Sequence, residues 1–384
     1  MTPGARVAAA IAVLGPVLRG APAERELTRW ARGARYAGSG DRAAVRDHVF
    51  DALRRLRSSA WAGGLGDRPP AAMDPARVVA GLLVGQGIDP APLFDGAGHA
   101  PPPLDGPLGP SLDEAPDGVR LDMPDWVLDL LRAGHGASVE AICEALRDRA
   151  PVHLRANLAR TTRAALIDAL AADGHAARPH PLSPSAVEVA GVPRGLARTA
   201  AFEAGLFELQ DAASQAVVDR LPLEPGMRVL DLCAGGGGKT LAMAARTGAR
   251  ILAHDADPAR LRDLPSRAGR AGADVRIVAD PEAEGPFDLV LCDVPCSGSG
   301  AWRRQPEARW RLTPARLEAL RDVQAGILAR AGRLVAPGGA IAYVTCSVLP
   351  EENDPPAPGG VSERARWATT PADGADGFFL ALFR

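Results

Sequence analysis

The stretch that decides the fold spans residues 228–240 and reads Arg228-Val229-Leu230-Asp231-Leu232-Cys233-Ala234-Gly235-Gly236-Gly237-Gly238-Lys239-Thr240. An apolar run leads directly into glycines, and a helical pattern follows. Glycines between a strand and a helix let the backbone approach a ligand closely, and the helix N-terminus presents free N–H groups. The stretch therefore predicts a strand, a ligand-binding loop and a helix, in that order.

Further short apolar runs follow and alternate with helical patterns, notably a long helix over Pro314–Leu334. Strands that alternate with helices require a parallel sheet covered on both faces. We expect an α/β, Rossmann-like domain with a mostly parallel sheet of the seven-stranded type. The predicted strands are Arg228–Leu232, Ile251–His254, Val275–Ala279, Phe287–Cys292 and Ala340–Thr345.

The glycine loop discriminates between ligand classes. A phosphate-binding loop of NTPases needs glycine at the position of Cys233, and the dinucleotide fingerprint needs glycine at Thr240. The pattern that fits is Asp-x-x-x-Gly-x-Gly from Asp231, which suits the amino-acid end of S-adenosylmethionine; a purely structural turn is the alternative. Asp255 and Asp280 each follow a predicted strand, where a carboxylate can face the ribose or lie near the adenine.

Two cysteines follow the last two parallel strands of the prediction. Cys296 lies in Asp293-Val294-Pro295-Cys296, and Cys346 lies in Thr345-Cys346-Ser347. Ligands of open α/β sheets bind beyond the carboxyl ends of the strands, so both thiols are expected to face the cofactor crevice. Cys292 lies inside its strand and is expected to be a small core residue.

The composition is that of an ordinary globular protein. The chain has 384 residues, 47% of them apolar and 23% charged, which excludes wholesale disorder, and its net charge of −2 provides no global attraction for a polyanion. Among 44 basic residues Lys239 is the only lysine. The five cysteines form no CxxC pair, so we expect no disulfide scaffold and no metal site.

Composition and periodicity predict three segments. Residues 1–120 read as helical with a Gly/Pro-rich linker, residues 121–204 as a small α+β module, and residues 205–384 as the α/β domain. The first sixty residues carry 11 Arg against 5 acidic residues, which fits either a solvated helix face or a nucleic-acid contact. The apolar run Val7–Leu18 is too short to span a bilayer, so we expect no membrane association.

These motifs resemble the RsmB/Sun/NOP-type RNA (cytosine-5) methyltransferases. The resemblance is strong over about 205–384, weaker over 121–204, and its N-terminal helices look like a NusB-type RNA-binding domain. The stretches that carry it are Gln210–Gln215, Cys233–Thr240, Asp293–Gly300, Arg303–Trp310, Thr345–Asn353 and Asp376–Phe379.

The resemblance implies roles for particular residues. Cys346 is the nucleophile, Cys296 assists release of the product, and Asp293 contacts the target base. RNA phosphates are expected to contact Arg155, Arg303 and Arg304. Trp302 and Trp310 are candidates for stacking on bases or for the core. The residues expected to bind S-adenosylmethionine are Cys233, Ala234, Gly235, Gly236, Gly237, Gly238, Lys239, Asp255, Asp280 and Asp293.

The chain departs from the family pattern at two places. Gly235 and Gly236 replace Ala and Pro in the loop, and three prolines at positions 355, 356 and 358 exclude the helix that family members have there, so the last βα unit looks trimmed. We expect a cytoplasmic, monomeric enzyme acting on ribosomal small-subunit RNA. The alternatives are a tRNA substrate, a non-catalytic RNA-binding or ribosome-assembly module, and a nucleotide-dependent dehydrogenase or NTPase.

Overall fold

Contacts divide the chain into two units in the computed structural model, which describes residues 1–247 and 250–384. The first unit comprises Met1–Arg149 together with Trp302–Leu312, and the second comprises Ala150–Ala301 with Thr313–Arg384. This grouping differs from the three expected segments. It divides the small α+β module, placing residues 121–149 in the helical unit and residues 150–204 with the α/β domain. It also transfers residues 302–312 to the helical unit.

The first unit is helical. Its core is formed by apolar residues such as Val13, Leu14, Val49, Leu53 and Val79, which recur at helical spacing and are buried. Its helices, numbered along the whole chain, are α1 (Pro3–Leu18), α2 (Ala23–Gly33), α3 (Ser39–Arg54), α4 (Leu56–Ala62), α5 (Pro75–Gly85), α6 (Asp117–Arg120), α7 (Asp125–His135), α8 (Val139–Arg147) and α14 (Glu307–Arg311).

The segment 302–312 is fastened to this unit by buried polar contacts. Arg309 is fully buried, and its guanidinium donates to the carbonyl oxygens of Asp122 (2.5 Å) and Leu146 (3.1 Å). Trp310 Nε1 donates to the carbonyl of Leu53 at 2.8 Å. Trp302 is 1% exposed. Trp302 and Trp310 therefore serve the helical unit, and the structure gives no support for their stacking on bases.

The second unit begins with a four-stranded antiparallel sheet, in the order β2-β3-β1-β4. Its strands are β1 (Val152–Ala156), β2 (Ala177–Pro179), β3 (Ala186–Val189) and β4 (Phe207–Leu209), and the helices near it are α9 (Arg163–Ala172) and α10 (Ala200–Glu203). Thr162 caps α9 by accepting from Ala165 N at 3.1 Å.

The larger sheet has seven strands in the order β10-β11-β9-β8-β5-β6-β7. Strands β5 to β9 are parallel, β11 pairs antiparallel with β9, and β10 pairs antiparallel with β11. The strands are β5 (Val229–Asp231), β6 (Ile251–Ala253), β7 (Val275–Ile277), β8 (Phe287–Asp293), β9 (Val335–Thr345), β10 (Glu363–Thr369) and β11 (Phe378–Phe383); the helices are α11 (Ala212–Asp219), α12 (Gly238–Thr247), α13 (Leu264–Ala271) and α15 (Pro314–Leu334).

The expected α/β fold is confirmed. All three residues of β5 are buried because the strand pairs with β6 and β8 on its two edges and is covered on both faces. Helix α15 has the predicted bounds, since Thr313 caps it and Pro314 takes its first position. The trimmed unit is also visible. Between Asn353 and Glu363, all of which the structure describes, there is no α-helix, yet β10 and β11 complete the sheet.

The buried Arg309 provides a test of how segment 302–312 is held. Arg309→Ala leaves two buried carbonyls without their donor and opens a cavity, so we expect a loss on the order of 3 kcal/mol of stability. Urea unfolding followed by tryptophan fluorescence measures the loss. Arg42→Ala, which removes an exposed arginine, is the matched control. Equal urea midpoints for the two variants would contradict the conclusion that Arg309 holds residues 302–312 in the helical unit.

Candidate active site

The glycine loop lies at the carboxyl end of β5 and is held by the neighbouring strand end. Ala234 N donates to the carbonyl of His254 at 2.8 Å, and Gly235 N donates to Asp255 Oδ2 at 2.9 Å. Gly237 has a φ of +82°, and a Cβ there would lie 2.2 Å from Leu264 Cδ1. Glycine at this position is therefore required by both the backbone conformation and the packing of α13.

Asp231 is the most perturbed acid of the loop region. Thr240 Oγ1 donates to its Oδ2 at 2.7 Å, while its buried Oδ1 has no hydrogen-bond partner among the described residues. Burial raises the pKa of Asp231 to about 7, and the charges of Asp293 and Asp255 act in the same direction. A buried acceptor without a donor at the edge of a glycine loop indicates a ligand-binding position.

An ion pair joins the glycine loop region to the end of β8, the strand that precedes Cys296. Lys239 Nζ lies 2.7 Å from Asp293 Oδ2, and the lysine side chain is 7% exposed. The same ammonium lies 4.9 Å from the centroid of the Phe378 ring. Asp293 is the last residue of β8, so the ion pair ties the first turn of α12 to the point where the chain leaves that strand.

The other two strand-end acids differ in exposure. Asp255 is 5% exposed; its Oδ2 accepts from Gly235 N and from Arg260 Nη1 (3.1 Å), and its Oδ1 accepts from Asp257 N (3.0 Å). Asp280 is exposed, and its Oδ1 accepts from Glu282 N at 3.1 Å. Asp255 therefore braces the loop, and Asp280 caps a short turn. Their contacts to ribose and adenine stay predictions.

The two predicted thiols meet. Cys296 Sγ and Cys346 Sγ are 3.4 Å apart, although fifty residues separate them in sequence. The hydrogen bond with Cys346 and burial raise the pKa of Cys296 well above its ordinary value. Cys292 is fully buried within β8, as expected of a core residue. Burial raises the pKa of Cys233 to about 12, which keeps that loop thiol protonated.

Two loops carry the thiols: the Cys296 loop follows β8, and the Cys346 loop follows β9. Backbone contacts hold these two thiol loops together. Gly300 N donates to the carbonyl of Cys346 at 3.0 Å, and Gly377 N donates to the carbonyl of Gly300 at 2.9 Å. A Cβ on Gly300 would lie 2.1 Å from the Gly377 oxygen. The close approach explains why glycine stands at both positions, and it brings three of the quoted motifs to one place.

Two of the predicted RNA contacts need correction. Arg155 lies in β1 and is 4% exposed, and burial lowers its pKa to about 10. Arg303 is also 4% exposed, within the helical unit. Neither buried guanidinium is presented to a phosphate, so both roles lose their structural basis. Arg304 is exposed and stays a prediction.

Four residues of the site were missed as functional candidates. Thr240 binds Asp231, while Gln324, Glu352 and Asn353 surround the thiol loops. Thr240, Glu352 and Asn353 stand inside the quoted motifs, so their position beside chemically active residues was the available signal. Gln324 lies in the middle of α15 and gives no such signal in the sequence.

The residues present fit S-adenosylmethionine. The unpartnered Asp231 Oδ1 is an acceptor suited to the ammonium of the amino-acid end. Asp255 Oδ1 accepts one hydrogen bond and keeps a lone pair for a ribose hydroxyl. The loop glycines leave the backbone open to a ligand. The remaining predicted contacts, from Cys233 to Lys239 and at Asp293, line the same strand ends.

One group of potential metal ligands occurs within the described residues, formed by His153, His180 and Glu188. The Glu188 carboxylate is already paired with Arg178 at 2.9 Å. His153 Nδ1 lies 3.0 Å from Asp211 Oδ2, and His180 Nδ1 accepts from Leu182 N at 3.3 Å. These contacts account for most of the cluster's polar groups, so we assign it a structural role.

The order of the seven strands, the glycine loop at the first of the parallel strands and the acids at the neighbouring strand ends define a Rossmann-like methyltransferase domain. Two family models match. The model described as "16S rRNA methyltransferase RsmB/F" covers residues 218–376, and the model described as "Methyltr_RsmF/B-like, ferredoxin-like domain" covers residues 123–193. Over these two regions the chain is similar to the RsmB/F methyltransferase family.

Curated relatives agree with this assignment. The chain is 35% identical over 243 residues to "Ribosomal RNA small subunit methyltransferase B" of Citrobacter koseri, a match that covers 61% of the chain and 56% of the relative. It is 34% identical over 238 residues to the protein of the same name from Cronobacter sakazakii, covering 60% and 55%. The chain thus spans about half the length of the curated relatives that it matches.

Solved structures share the fold. "PH0851" superposes with a TM-score of 0.78 at 22% identity, covering 100% of this chain and 99% of that chain. "NSun6 from Pyrococcus horikoshii with SFG" gives a TM-score of 0.60 at 18% identity, covering 68% and 98%. No helix within residues 1–247 and 250–384 has both the length and the apolar character needed to cross a membrane.

The pKa of Asp231 predicts a pH-dependent stability. Because burial raises this pKa to about 7, the folded state retains a proton that the unfolded state loses near pH 4. The contribution of Asp231 is fully present below pH 4 and is lost as pH rises to about 7. The total is up to roughly 4 kcal/mol, since each pKa unit is worth about 1.4 kcal/mol.

Urea unfolding of the cofactor-free protein between pH 4 and pH 8 measures this effect against Asp231→Asn, whose side chain does not titrate. We expect the difference in stability to shift in favour of the variant as pH rises. The exposed Asp280→Asn is the control and should follow the wild type. Parallel curves for wild type and Asp231→Asn would contradict the burial-driven shift.

Proposed function

We propose that this chain transfers a methyl group from S-adenosylmethionine to carbon 5 of a cytosine in RNA through a covalent bond to Cys346. The observation that carries the proposal is the 3.4 Å separation of Cys296 Sγ and Cys346 Sγ at the ends of adjacent parallel strands. The match of the RsmB/F family model to residues 218–376 and the fit of the glycine loop to the cofactor support it.

Two thiols suit this reaction because carbon 5 of cytosine is a poor nucleophile. Addition of the Cys346 thiolate to carbon 6 converts the ring to an enamine, and carbon 5 becomes able to accept a methyl group. The bound cofactor supplies that methyl as an electrophile. Cys296 then takes the proton from carbon 5, the bond from carbon 6 to Cys346 breaks, and the double bond of the ring is restored.

The coupling of the thiols supports this division of roles. Because the hydrogen bond with Cys346 and burial raise the pKa of Cys296, Cys296 keeps its proton in the free protein, and we assign the role of nucleophile to Cys346. Once Cys346 is bonded to the base, its charge no longer opposes ionisation of Cys296. Cys296 can then lose its proton to water, and the resulting thiolate acts as the base that takes the carbon-5 proton in the release step.

The proposed substrate is RNA of the small ribosomal subunit, because the curated relatives carry that name. Exposed arginines around the connection between α2 and α3 provide a candidate contact, namely Arg32, Arg35 and Arg42, beside Tyr36, which is 74% exposed. Other arginines of the first sixty residues, such as Arg6 and Arg46, are paired with acids inside the helical unit. The basic surface is therefore smaller than the composition suggested.

The thiol roles are tested by single substitutions. Cys346→Ala should abolish methyl transfer without loss of cofactor binding, because only the nucleophile is removed. Cys296→Ala should retain bond formation but block release, and so accumulate a protein–RNA adduct that survives denaturing electrophoresis. Cys143→Ala, in the helical unit, is the control. A fully active Cys346→Ala would overturn the nucleophile assignment.

The RNA contact is tested by charge reversal. The triple variant Arg32→Glu, Arg35→Glu, Arg42→Glu should bind small-subunit RNA more weakly. The negative slope of log K against log salt should become shallower by roughly 3. Filter binding over a salt series measures both. Arg333→Glu, at an exposed position in the last turn of α15, is the control. An unchanged slope in the triple variant would remove this surface from the proposal.

The wild-type protein also tests the non-catalytic alternative. If it binds RNA but transfers no methyl group, the RNA-binding or ribosome-assembly module is favoured.

A further inference from the structure

Glu352 connects the two thiol loops. Glu352 is 1% exposed and is the last residue of a short turn, Pro350–Glu352. This turn follows the Cys346 loop and returns Glu352 to it. Glu352 Oε1 accepts from Ser297 N at 2.8 Å, and its Oε2 accepts from Ser297 Oγ at 2.5 Å and from Ser347 Oγ at 2.6 Å. Ser297 directly follows Cys296, and Ser347 directly follows Cys346.

We infer that Glu352 is a positioning residue that fixes the separation of the Cys296 and Cys346 thiols by clamping the residue after each of them. We call Glu352 with its partners Ser297 and Ser347 the clamp. The clamp is a property of the fold, and its role in catalysis rests on the proposed function. Nothing in the sequence motif assigns a role to this glutamate beyond its place in the run Thr345–Asn353.

The clamp is braced from α15 and from the sheet. Gln324 Nε2 donates to Glu352 Oε1 and lies 3.0 Å from the carbonyl of Pro295, just before the first thiol. The Tyr343 hydroxyl lies within hydrogen-bonding distance of both Gln324 Oε1 and the Glu352 carbonyl. The carboxylate is therefore held in place, and its two oxygens have little freedom to follow a moving loop.

Asn353 secures the second loop independently. Thr345 Oγ1 donates to Asn353 Oδ1 at 2.7 Å, and Asn353 Nδ2 donates to the Ser347 carbonyl at 2.9 Å. These bonds flank Cys346 on both sides in sequence. Asn353 thus fixes the Cys346 loop alone, whereas the Glu352 carboxylate contacts both this loop and the Cys296 loop.

The clamp uses both oxygens of the Glu352 side chain as hydrogen-bond acceptors. Four donors converge on Glu352, and only a carboxylate offers acceptors on both oxygens, in strong charge-assisted hydrogen bonds. In Glu352→Gln one oxygen becomes an NH₂ group that faces donors. Although the shape is conserved, that side of the clamp opens, because a serine hydroxyl that faces it loses its carboxylate acceptor. Separation of the thiols is the expected consequence.

The test measures the proximity of the thiols without RNA or cofactor. Oxidised glutathione is the probe: one protein thiolate attacks its disulfide and releases one glutathione, and the second thiol then displaces the other glutathione to form the Cys296–Cys346 bond. Peptide mass mapping separates this internal disulfide from mixed disulfides. We expect rapid closure in the wild type and a rate of closure at least about tenfold lower in Glu352→Gln, with mixed disulfides accumulating.

Controls separate positioning from folding. Glu318→Gln removes an exposed glutamate from α15 and should close at the wild-type rate. Ser297→Ala removes one hydroxyl of the clamp and should slow closure to a smaller extent, so the test stands if Glu352→Gln fails to fold. Closure at the wild-type rate in every folded clamp variant would overturn the inference.

Activity assays then connect the clamp with the proposed function. Glu352→Gln should lower kcat for methyl transfer with little change in KM for RNA or in cofactor affinity. If Glu352→Gln separates the thiols but the wild type does not methylate RNA, the clamp stands and the proposed function fails. If the wild type methylates RNA and Glu352→Gln keeps both thiol closure and kcat, the function stands and the clamp fails.

Discussion

The ion pair between Lys239 and Asp293 is the contact on which the arrangement of the site depends. It joins the helix after the glycine loop to the end of β8, from which the Cys296 loop departs. The lysine is almost fully buried, so loss of Asp293 would leave its ammonium in a poorly solvated position without a partner carboxylate. The only lysine of the chain stands here. A compact ammonium on a flexible stem reaches both Asp293 and the face of Phe378, which a planar guanidinium would not do in the same way.

The sequence predicted the parts of the molecule that local pattern controls. Strand β5, the glycine loop and α15 follow from an apolar run, a series of glycines and a Thr-Pro cap, which are all short-range signals. The meeting of Cys296 and Cys346 was also predictable, because the carboxyl ends of adjacent parallel strands lie together. These features need no knowledge of distant contacts.

The predictions that failed concern burial decided by distant segments. Arg303 carries a charge that suggested the surface, but it lies within a segment that packs into the helical unit together with Arg309. Arg155 lies in a strand of the small sheet, where neighbouring elements cover it. A charge count gives no information about such coverage. Likewise Gln324 belongs to the site only because α15 passes beneath the thiol loops.

The shortened connection after β9 affects the site less than its sequence suggested. The prolines at 355, 356 and 358 prevent a helix, but the turn before them still returns Glu352 and Asn353 to the thiol loops, and the sheet is complete. The cofactor loop, the two thiols and their clamp are thus all present in one unit. This combination is the physical basis for the proposed assignment of a two-thiol methyl transfer.

The position of the transferred methyl group tests that assignment most directly. Small-subunit RNA is incubated with the protein and S-adenosylmethionine carrying a labelled methyl group, digested to nucleosides and analysed by mass spectrometry. The two-thiol arrangement predicts that the label appears in 5-methylcytidine. Label on an exocyclic nitrogen or on a ribose hydroxyl, neither of which needs a covalent thiol adduct, would contradict it.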